Sequence, residues 1–319
     1  MAFDPRPCIK EIARGPHSTR SLSREQAHEL FAAIFAGDVA PVALGAILAA
    51  LRMKGETVEE IAGMMQALAP HVAELRLPRG PARPLLLASY NGARKLPNLV
   101  PLLALLVARR GVPVLVHGAA QEAERVGTFE VLERLGHRSA ASLAAVERDL
   151  ERVALAAAPL ALLSPPLARV LDERKRMGVR NTAHTLAKLL LPRGIDPRAA
   201  CRLVCVTHPD FLERMRRYFA LEGGDALLMR GVEGEPVVRL HAPQPIEALS
   251  GDARPIELRI EATGGDDALP SRDAESTARW TADVLDGRVV PPAALAAQVE
   301  LIVRHCESGS GASSVEKAT

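Results

Sequence analysis

Aromatic residues are scarce in this chain of 319 residues, which has one Trp, two Tyr and six Phe. Proteins that grip nucleic acid by stacking on its bases need more aromatic side chains, so extensive base stacking is excluded. The abundance of Ala and Leu favours a helix-rich globular protein over a β-sandwich. The length allows one large or two modest domains with hydrophobic cores.

Cysteine is also scarce, with four residues at positions 8, 201, 205 and 306. Four cysteines do not make a disulfide framework in a chain this long. Cys201 and Cys205 would share one face of a helix, but no second Cys or His pair at ligand spacing accompanies them. The sequence therefore predicts buried free thiols, no metal site and no cofactor.

Long apolar runs are missing too. The longest apolar stretches are broken by Pro or by charge and fall short of a membrane span. The first residues, Met1–Arg6, lack the apolar core of a signal peptide. These patterns predict a cytoplasmic protein with no membrane partner.

Acidic residues are absent between Glu74 and Glu122, whereas they collect between Glu222 and Glu300. The acid-free stretch contains Arg76, Arg79, Arg83, Arg94, Lys95, Arg109 and Arg110. The net charge of +2 is almost neutral, so the distribution carries the information. It indicates a side of the molecule that faces an anion, although a solvated basic surface explains the charges alone equally well.

The periodicity of apolar residues predicts helices over the first 75 residues. Ser23 and Thr57 are suited to cap helices, and Gln26 completes a capping box with Ser23. Strand 84–88, helix 98–110 and strand 112–116 form a βαβ unit with a parallel sheet. Further predictions are one basic helical stretch over 167–191, strands at 204–207 and 226–229, and an antiparallel pair of 237–240 with 256–260.

Three parts of the chain follow from this pattern. We predict a helical domain at 1–75, completed by helices in about 165–190. An α/β domain comprises 76–164 and 191–306, and residues 307–319 form a disordered tail rich in Gly and Ser.

A Gly-bearing loop follows the first strand and reads Ser89-Tyr90-Asn91-Gly92-Ala93-Arg94-Lys95. Such a loop at the carboxyl end of a strand, entering a helix, is where open α/β sheets bind phosphates. This loop has two adjacent cations and no carboxylate. It is therefore suited to attract an anion but not to hold a magnesium ion.

Several tracts resemble anthranilate phosphoribosyltransferase and the related pyrimidine nucleoside phosphorylases. They include Gly37–Pro41, Ala50–Ala62, Val116–Gly118, Val131–Gly136, Met177–Asn181 and Asp273–Glu275. The resemblance covers nearly the whole chain in the same order. It implies an α/β fold with a small N-terminal helical bundle and a larger α/β domain around a mostly parallel sheet.

The family's enzyme motifs are degraded in this chain. The family's Gly-Thr-Gly-Gly-Asp loop, which wraps the pyrophosphate of phosphoribosyl pyrophosphate, is replaced by Ser89–Ala93. The family's Lys-His-Gly-Asn-Arg loop is reduced to His117 and Gly118, and its paired serines are gone. The metal-holding Asp-Glu pair falls near Glu233 and Glu235, which we expect to be exposed to water. The similar Thr263–Asp266 stretch lies in the wrong part of the chain, so we take it as a surface turn.

Ser89, Asn91, Gly92, His117 and Gly118 thus make a degenerate donor-site loop, with no catalytic residue assigned. We take His117 as structural because no partner carboxylate or nucleophile is identifiable.

These substitutions resemble the YbiB-type branch of the same superfamily. That resemblance implies a homodimer that pairs through the helical domain and binds DNA, and also RNA, with little sequence specificity. A second basic tract at 169–193 supplies cations that can follow a phosphate backbone. The candidate nucleic-acid-binding residues are Arg94, Lys95, Arg169, Arg174, Lys175, Arg176, Arg180, Lys188 and Arg193.

Two alternatives stay open at this point. One is a phosphoribosyltransferase or phosphorylase with a remodelled donor site, and the other is a small-molecule sensor that keeps the cleft of the fold.

Overall fold

The computed structural model describes residues 3–15, 18–119, 124–250, 255–261 and 269–308. The chain divides into two compact units. We call Met1–Glu74 with Leu160–Arg193 the helical unit, and Leu75–Pro159 with Gly194–Thr319 the α/β unit. The expected surface turn at Thr263–Asp266 lies outside the described residues.

In chain order the elements are α1 (Arg6–Ile12), α2 (Arg24–Ala36), α3 (Pro41–Lys54), α4 (Val58–Leu68), β1 (Leu85–Ser89), α5 (Val100–Arg109), β2 (Val114–Gly118), α6 (Thr128–Arg134), α7 (Leu143–Val153), β3 (Leu155–Pro159), α8 (Leu160–Leu163), α9 (Pro165–Met177), α10 (Ala183–Leu189), β4 (Cys201–Val206), α11 (Pro209–Glu222), β5 (Asp225–Arg230), β6 (Gln244–Ser250), β7 (Ile256–Ile260), α12 (Ala274–Leu285) and α13 (Ala293–Ser308).

Capping boxes begin two helices of the helical unit, and both caps were expected from the sequence. The Ser23 and Thr57 side chains accept the N–H of the third helical residue, and the side chains of Gln26 and Glu60 accept the N–H of the two caps in return. Glu60 is fully buried, and its carboxylate also accepts the Lys54 ammonium at 2.6 Å and the Leu22 N–H at 2.8 Å. This one carboxylate therefore ties the start of α4 to the segment before α2 and to the end of α3.

The basic stretch 167–191 is helical as expected, but it forms two helices, α9 and α10, rather than the single helix on which the cations were aligned. Gly178 has φ +70° and ends α9 in the left-handed conformation that favours glycine. α10 begins five residues later. In the link between the two helices, the Asn181 side chain donates an N–H to the Val170 carbonyl at 2.7 Å. The row of cations expected along one helix face is consequently broken between Arg176 and Arg180.

Among the described residues, the α/β unit contains a seven-stranded sheet in the order β3-β2-β1-β4-β5-β6-β7. The first five strands of this order are parallel, and β6 and β7 add an antiparallel edge. All residues of β1, β2 and β4 are buried, as expected for parallel strands covered by helices on both faces. β3 and the helix before it, α7, were missed because the segment was read as one Ala- and Leu-rich region, although α7 alternates apolar residues with charged ones and begins at a Ser142 cap.

The predicted pairing of 237–240 with 256–260 was wrong, because β7 pairs instead with β6. The side chain of Gln298, which is fully buried, bonds to both sides of the 236–238 backbone. Its oxygen accepts the Val238 N–H at 3.0 Å, and its nitrogen donates to the Pro236 carbonyl at 2.9 Å. These backbone groups are thus satisfied by a helix side chain rather than by a strand.

Two further sequence expectations need correction. Cys201 and Cys205 lie on strand β4 and not on a helix, although all four cysteines are buried free thiols as predicted. The last helix continues through Ser308, past the expected start of the tail at 307, and residues 309–319 lie outside the described part. No helix in the described ranges has the length and apolar character that a bilayer span requires.

Candidate functional site

The loop after β1 meets a tight turn that follows β5. In this turn, residues 232–235, the Glu235 N–H donates to the Val232 carbonyl at 2.9 Å. The two central residues, Glu233 and Gly234, both have positive φ, at 54° and 87°. A non-glycine residue in that region costs on the order of 1 kcal/mol, so the surrounding contacts must hold Glu233 there.

Glu235 fills the inside of the β1 loop. One carboxylate oxygen accepts the backbone N–H groups of Asn91 and Gly92, both at 2.7 Å, and the other accepts the Ser89 hydroxyl at 2.6 Å. Glu235 is only 3% exposed. Our expectation that this carboxylate would be exposed to water was therefore wrong: it binds the loop from within.

Glu233 binds the next stretch of the same loop. Its carboxylate accepts the N–H of Arg94 at 2.8 Å and the N–H of Lys95 at 3.0 Å. The Leu96 N–H lies 3.5 Å from the same oxygen, which is a weak contact at best. Glu233 is half-buried.

The backbone N–H groups of the loop are therefore consumed internally. Asn91 and Gly92 donate to Glu235, Ala93 donates to the Val126 carbonyl at 3.0 Å, and Arg94 and Lys95 donate to Glu233. A loop that cradles a phosphate presents such groups to the ligand. Here five consecutive donors face protein acceptors, and two of the acceptor groups are carboxylates that would repel an anion.

A chain of polar side chains holds the loop from the other side. The Ser89 hydroxyl also bonds to the Thr128 hydroxyl at 2.7 Å, and the Asn98 amide donates to that Thr128 oxygen at 3.1 Å. The Arg125 guanidinium donates to the Gly92 carbonyl at 3.1 Å. The Val126 N–H also donates to the Ala93 carbonyl at 2.8 Å, so the loop is fixed through its N–H groups, its hydroxyl and several of its carbonyls.

His117 is a buried structural residue in this site. Its Nδ1 lies 2.7 Å from the Tyr90 hydroxyl, and both side chains are at most 1% exposed. Burial lowers the pKa of His117 to about 4, so the ring is neutral at pH 7. Burial, together with the nearby Glu235 charge, raises the pKa of Tyr90 well above its usual value. Neither group is placed to exchange protons with a substrate in water.

Two glycines allow these backbones to approach closely. A Cβ at Gly118 would lie 2.2 Å from the Ser89 carbonyl oxygen, so the ends of β1 and β2 need a glycine there. A Cβ at Gly234 would lie 2.4 Å from Asn91 Nδ2, the atom that donates to the Gly234 carbonyl. The retained His-Gly pair of the sequence is consequently explained by packing alone.

The candidate cations fall in different environments. Arg94 and Lys95 are exposed residues of the α/β unit, and their side chains form no ion pair with any described residue. The others belong to the helical unit, where Arg169, Lys175, Arg176 and Arg193 are exposed and Arg180 and Lys188 are half-buried. Arg174 is only 7% exposed, so its placement on an exposed phosphate-binding surface was wrong.

Three of the exposed cations of the helical unit already have acidic partners. Lys175 pairs with Asp172 at 3.0 Å, Arg176 with Glu173 at 3.4 Å, and Arg193 with Glu74 at 3.6 Å. Exposed pairs of this kind contribute about 0–1 kcal/mol each. A phosphate can therefore displace these carboxylates at little cost.

Sequence reasoning missed the acceptor role of Glu233 and Glu235 and the supporting role of Thr128 and Asn98. A sequence signal for the turn that carries Glu233 was present, because Glu-Gly between short apolar segments is typical of a tight turn. Glu235 lies 146 positions from its partner Ser89, so no local sequence pattern could have predicted their hydrogen bond.

A cavity of about 270 Å³ adjoins the loop within the α/β unit. Its lining includes apolar side chains of Leu96, Leu99, Val232 and Leu240 and the polar side chains of Glu233 and His241. It lies beside the N–H groups of the loop, which already donate to protein acceptors, and Asn98 and Arg239 also line it.

The chain is similar in sequence and in structure to proteins of one known family. The helical bundle domain of the glycosyl transferase family matches residues 6–71. The anthranilate phosphoribosyltransferase of Thermomicrobium roseum is 30% identical over 278 residues, 83% of this chain and 78% of the relative. The crystal structure of the Thermus thermophilus enzyme superposes with a TM-score of 0.75 and 28% identity, covering 95% of this chain and 89% of that one.

The chain belongs to the anthranilate phosphoribosyltransferase superfamily, and the helical-bundle plus α/β fold expected from the sequence is confirmed. Within it, the YbiB protein of Escherichia coli K12 is 38% identical over 298 residues, 93% of this chain and 92% of the relative. The resemblance to the YbiB-type branch is thereby confirmed as well.

The buried carboxylate of Glu235 should be the main polar support of the loop. Glu235→Ala leaves two buried N–H groups and a hydroxyl without their acceptor, so we expect it to lower the free energy of unfolding by roughly 3–5 kcal/mol. Glu233→Ala is the matched control, because water can reach the N–H groups of exposed Arg94 and Lys95, and should cost about 1 kcal/mol or less. Urea unfolding followed by the fluorescence of Trp280, the single tryptophan, measures the free energy of unfolding of the α/β unit in both variants. Equal, small losses in the two variants would contradict this role of Glu235.

Proposed function

We propose that the protein is a homodimeric nucleic-acid-binding protein with little sequence specificity, built on a transferase scaffold that no longer binds the phosphoribosyl donor. Nucleic-acid binding is what the resemblance to the YbiB-type branch implies. The observation that carries the proposal is that the loop's N–H donors are satisfied internally while its two cations, Arg94 and Lys95, extend into solvent.

The residues of the loop do not fit a magnesium-bound diphosphate. A diphosphate needs the N–H groups that Glu233 and Glu235 already hold, and a magnesium ion needs carboxylate oxygens that are now hydrogen-bond acceptors. Opening the site would leave Asn91, Gly92 and Ser89 to find new partners. The loop is better suited to display cations on its outer side than to enclose an anion.

The exposed cations support contacts to phosphate and not to bases. Both tyrosines, Tyr90 and Tyr218, are buried at 0% and 5% exposure, so neither offers a stacking surface. Binding then rests on Arg and Lys contacts to the backbone and on counterion release, which is independent of sequence and steeply dependent on salt. Exposed cations occur in both units, so each copy of the chain contributes two basic surfaces.

An apolar stripe on α3 supports pairing through the helical unit. Val42, Ala46, Ala49 and Met53 are all exposed, and spacings of four, three and four residues put them on one helix face. Val42 and Met53 are each 87% exposed, which is unusual for such large apolar side chains. A second copy of the same stripe is the occupant that the proposed homodimer supplies.

Reversing the loop cations should weaken binding without unfolding the chain. We expect the protein to bind labelled single- and double-stranded oligonucleotides with a Kd on the order of micromolar at low salt. Arg94→Glu with Lys95→Glu should weaken binding to every sequence alike and reduce the salt slope by about 1 for each lost phosphate contact. Fluorescence anisotropy over a salt series measures both effects.

Lys175→Glu with Arg176→Glu tests the helical unit in the same way. Arg6→Glu with Arg259→Glu is the control of equal charge change, because these cations lie outside both basic tracts. If the control pair weakens binding as much as the loop pair does, only net charge matters. If the unaltered protein shows no binding at low salt, the proposal fails.

The alternative is a phosphoribosyltransferase or phosphorylase with a remodelled donor site. Because the loop donors are occupied, we expect isothermal titration calorimetry with phosphoribosyl pyrophosphate and magnesium to show no saturable heat. Titrations with and without magnesium separate specific binding from nonspecific attraction to Arg94 and Lys95. Saturable binding that requires magnesium would put the transferase in place of our proposal.

The α3 stripe should set the oligomeric state. We expect sedimentation velocity to show a dimer, and Val42→Glu with Met53→Glu to convert it into a folded monomer, because four carboxylates would meet across a two-fold axis. Val290→Glu is the matched control, since Val290 is 85% exposed but lies in the α/β unit. A monomeric unaltered protein, or a dimer that survives both stripe substitutions, would exclude this interface.

A further inference from the structure

A second cluster of reactive side chains lies at the opposite edge of the sheet from the loop. Cys201 is the first residue of β4 and Asp225 the first of β5, and the parallel register places them directly opposite each other. His305 and Cys306, near the end of α13, reach the same place. Sequence spacing did not reveal the cluster because its members are up to 105 positions apart and are joined only by strand register and helix packing.

The donor atoms of the cluster are close together. One donor atom each from Cys201, Asp225 and His305 all lie within 4.8 Å of one another, and His305 Nε2 is 2.8 Å from Asp225 Oδ1. The Cys306 thiol interacts with the Cys201 thiol and is the neighbouring candidate for a fourth donor, although it lies outside that group of three. Both thiols are fully buried, Asp225 is 4% exposed and His305 is half-buried.

Thiolate, imidazole and carboxylate groups all bind Zn²⁺, and structural zinc sites are almost always four-coordinate and tetrahedral. Zinc bonds of about 2.0–2.3 Å place the ligand atoms of such a site roughly 3.3–3.8 Å apart. The three donor atoms of Cys201, Asp225 and His305 therefore need to contract by up to about 1.5 Å, and the Cys306 thiol must turn toward them, which side-chain rotations can supply. With the Cys306 thiol as the fourth ligand, no coordination position is left open for water or a substrate, so the proposed site is structural rather than catalytic.

Arg83 hydrogen-bonds the groups around the cluster and balances its charge. Its guanidinium donates to Asp225 Oδ2 at 2.8 Å and to the His305 carbonyl at 2.7 Å, so it orients the carboxylate whose Oδ1 faces the cluster. With both thiols ionised, the three negative charges of the ligands equal the two charges of the ion plus the one of Arg83. Binding releases the two thiol protons and the proton that lies between His305 and Asp225.

We propose that Cys201, Asp225, His305 and Cys306 form a structural site for a divalent thiophilic cation, with Zn²⁺ as the fitting ion. The ion would clamp the end of α13 to the first residues of β4 and β5. This site is independent of the loop and of nucleic-acid binding, since it uses other residues at the other edge of the sheet.

Cobalt substitution tests the site on the full-length, reduced protein. After treatment with a chelator, titration with Co²⁺ should produce a thiolate-to-cobalt charge-transfer band and the visible d–d bands of a tetrahedral ion. Both should reach their full intensity at one equivalent of Co²⁺ per chain. Zn²⁺ should then displace Co²⁺ and abolish both. Absence of the charge-transfer band in the unaltered protein would overturn the proposal and leave the cluster as an Arg83–Asp225–His305 ion-pair network.

Variants assign the ligands. Cys201→Ala and Cys306→Ala should each weaken Zn²⁺ binding by at least about tenfold and remove part of the charge-transfer intensity. Cys8→Ser, a buried thiol in the helical unit, is the matched control and should change neither. His305→Gln keeps both thiols and should reduce affinity without abolishing the charge-transfer band. An equal loss in the Cys8→Ser variant would show adventitious binding to free thiols and would overturn the assignment.

Discussion

The hydrogen bonds from Asn91, Gly92 and Ser89 to the Glu235 carboxylate are the constraint on which the site depends. They join the carboxyl end of β1 to the turn after β5, and they consume the donors that would otherwise face a ligand. A buried carboxylate needs several such donors to offset its loss of hydration. The loop and Glu235 are therefore required by each other, and the strained Glu233 conformation in the same turn is held by a second set of loop N–H groups.

In the β1 loop, the backbone N–H groups and the cationic side chains face opposite ways. Its backbone is turned inward and bonded to protein, while the side chains of Arg94 and Lys95 are turned outward. The inward part stabilises the α/β unit, and the outward part carries charge that any polyanion can meet. The proposed binding is accordingly electrostatic, which agrees with the burial of both tyrosines. At the opposite edge of the sheet, register rather than a loop brings Cys201 and Asp225 together.

Much of the fold was predictable because its signals are local. The capping boxes at Ser23 and Thr57, the βαβ unit around α5 and the helix caps at glycines follow from patterns a few residues long. Predictions failed where a distant side chain replaced a local partner. Gln298 satisfies the backbone at Val238, where the sequence had predicted strand pairing. The break at Gly178 is different, because a glycine that ends a helix is itself a local signal.

By itself, the sequence determined the superfamily, the two kinds of domain and the loss of the family's donor motifs, because these depend on residue types and their order. It also placed the candidate cations along the chain. Only the tertiary structure decided that Arg174 is buried, that Glu235 closes the β1 loop, and that Cys201, Asp225 and His305 share one place. The physical reason is common to all three. Burial and hydrogen-bond partners are set by strand register and packing between residues from 24 positions apart, as Cys201 and Asp225 are, to 146 apart, as Ser89 and Glu235 are. A linear pattern has no signal for such pairs.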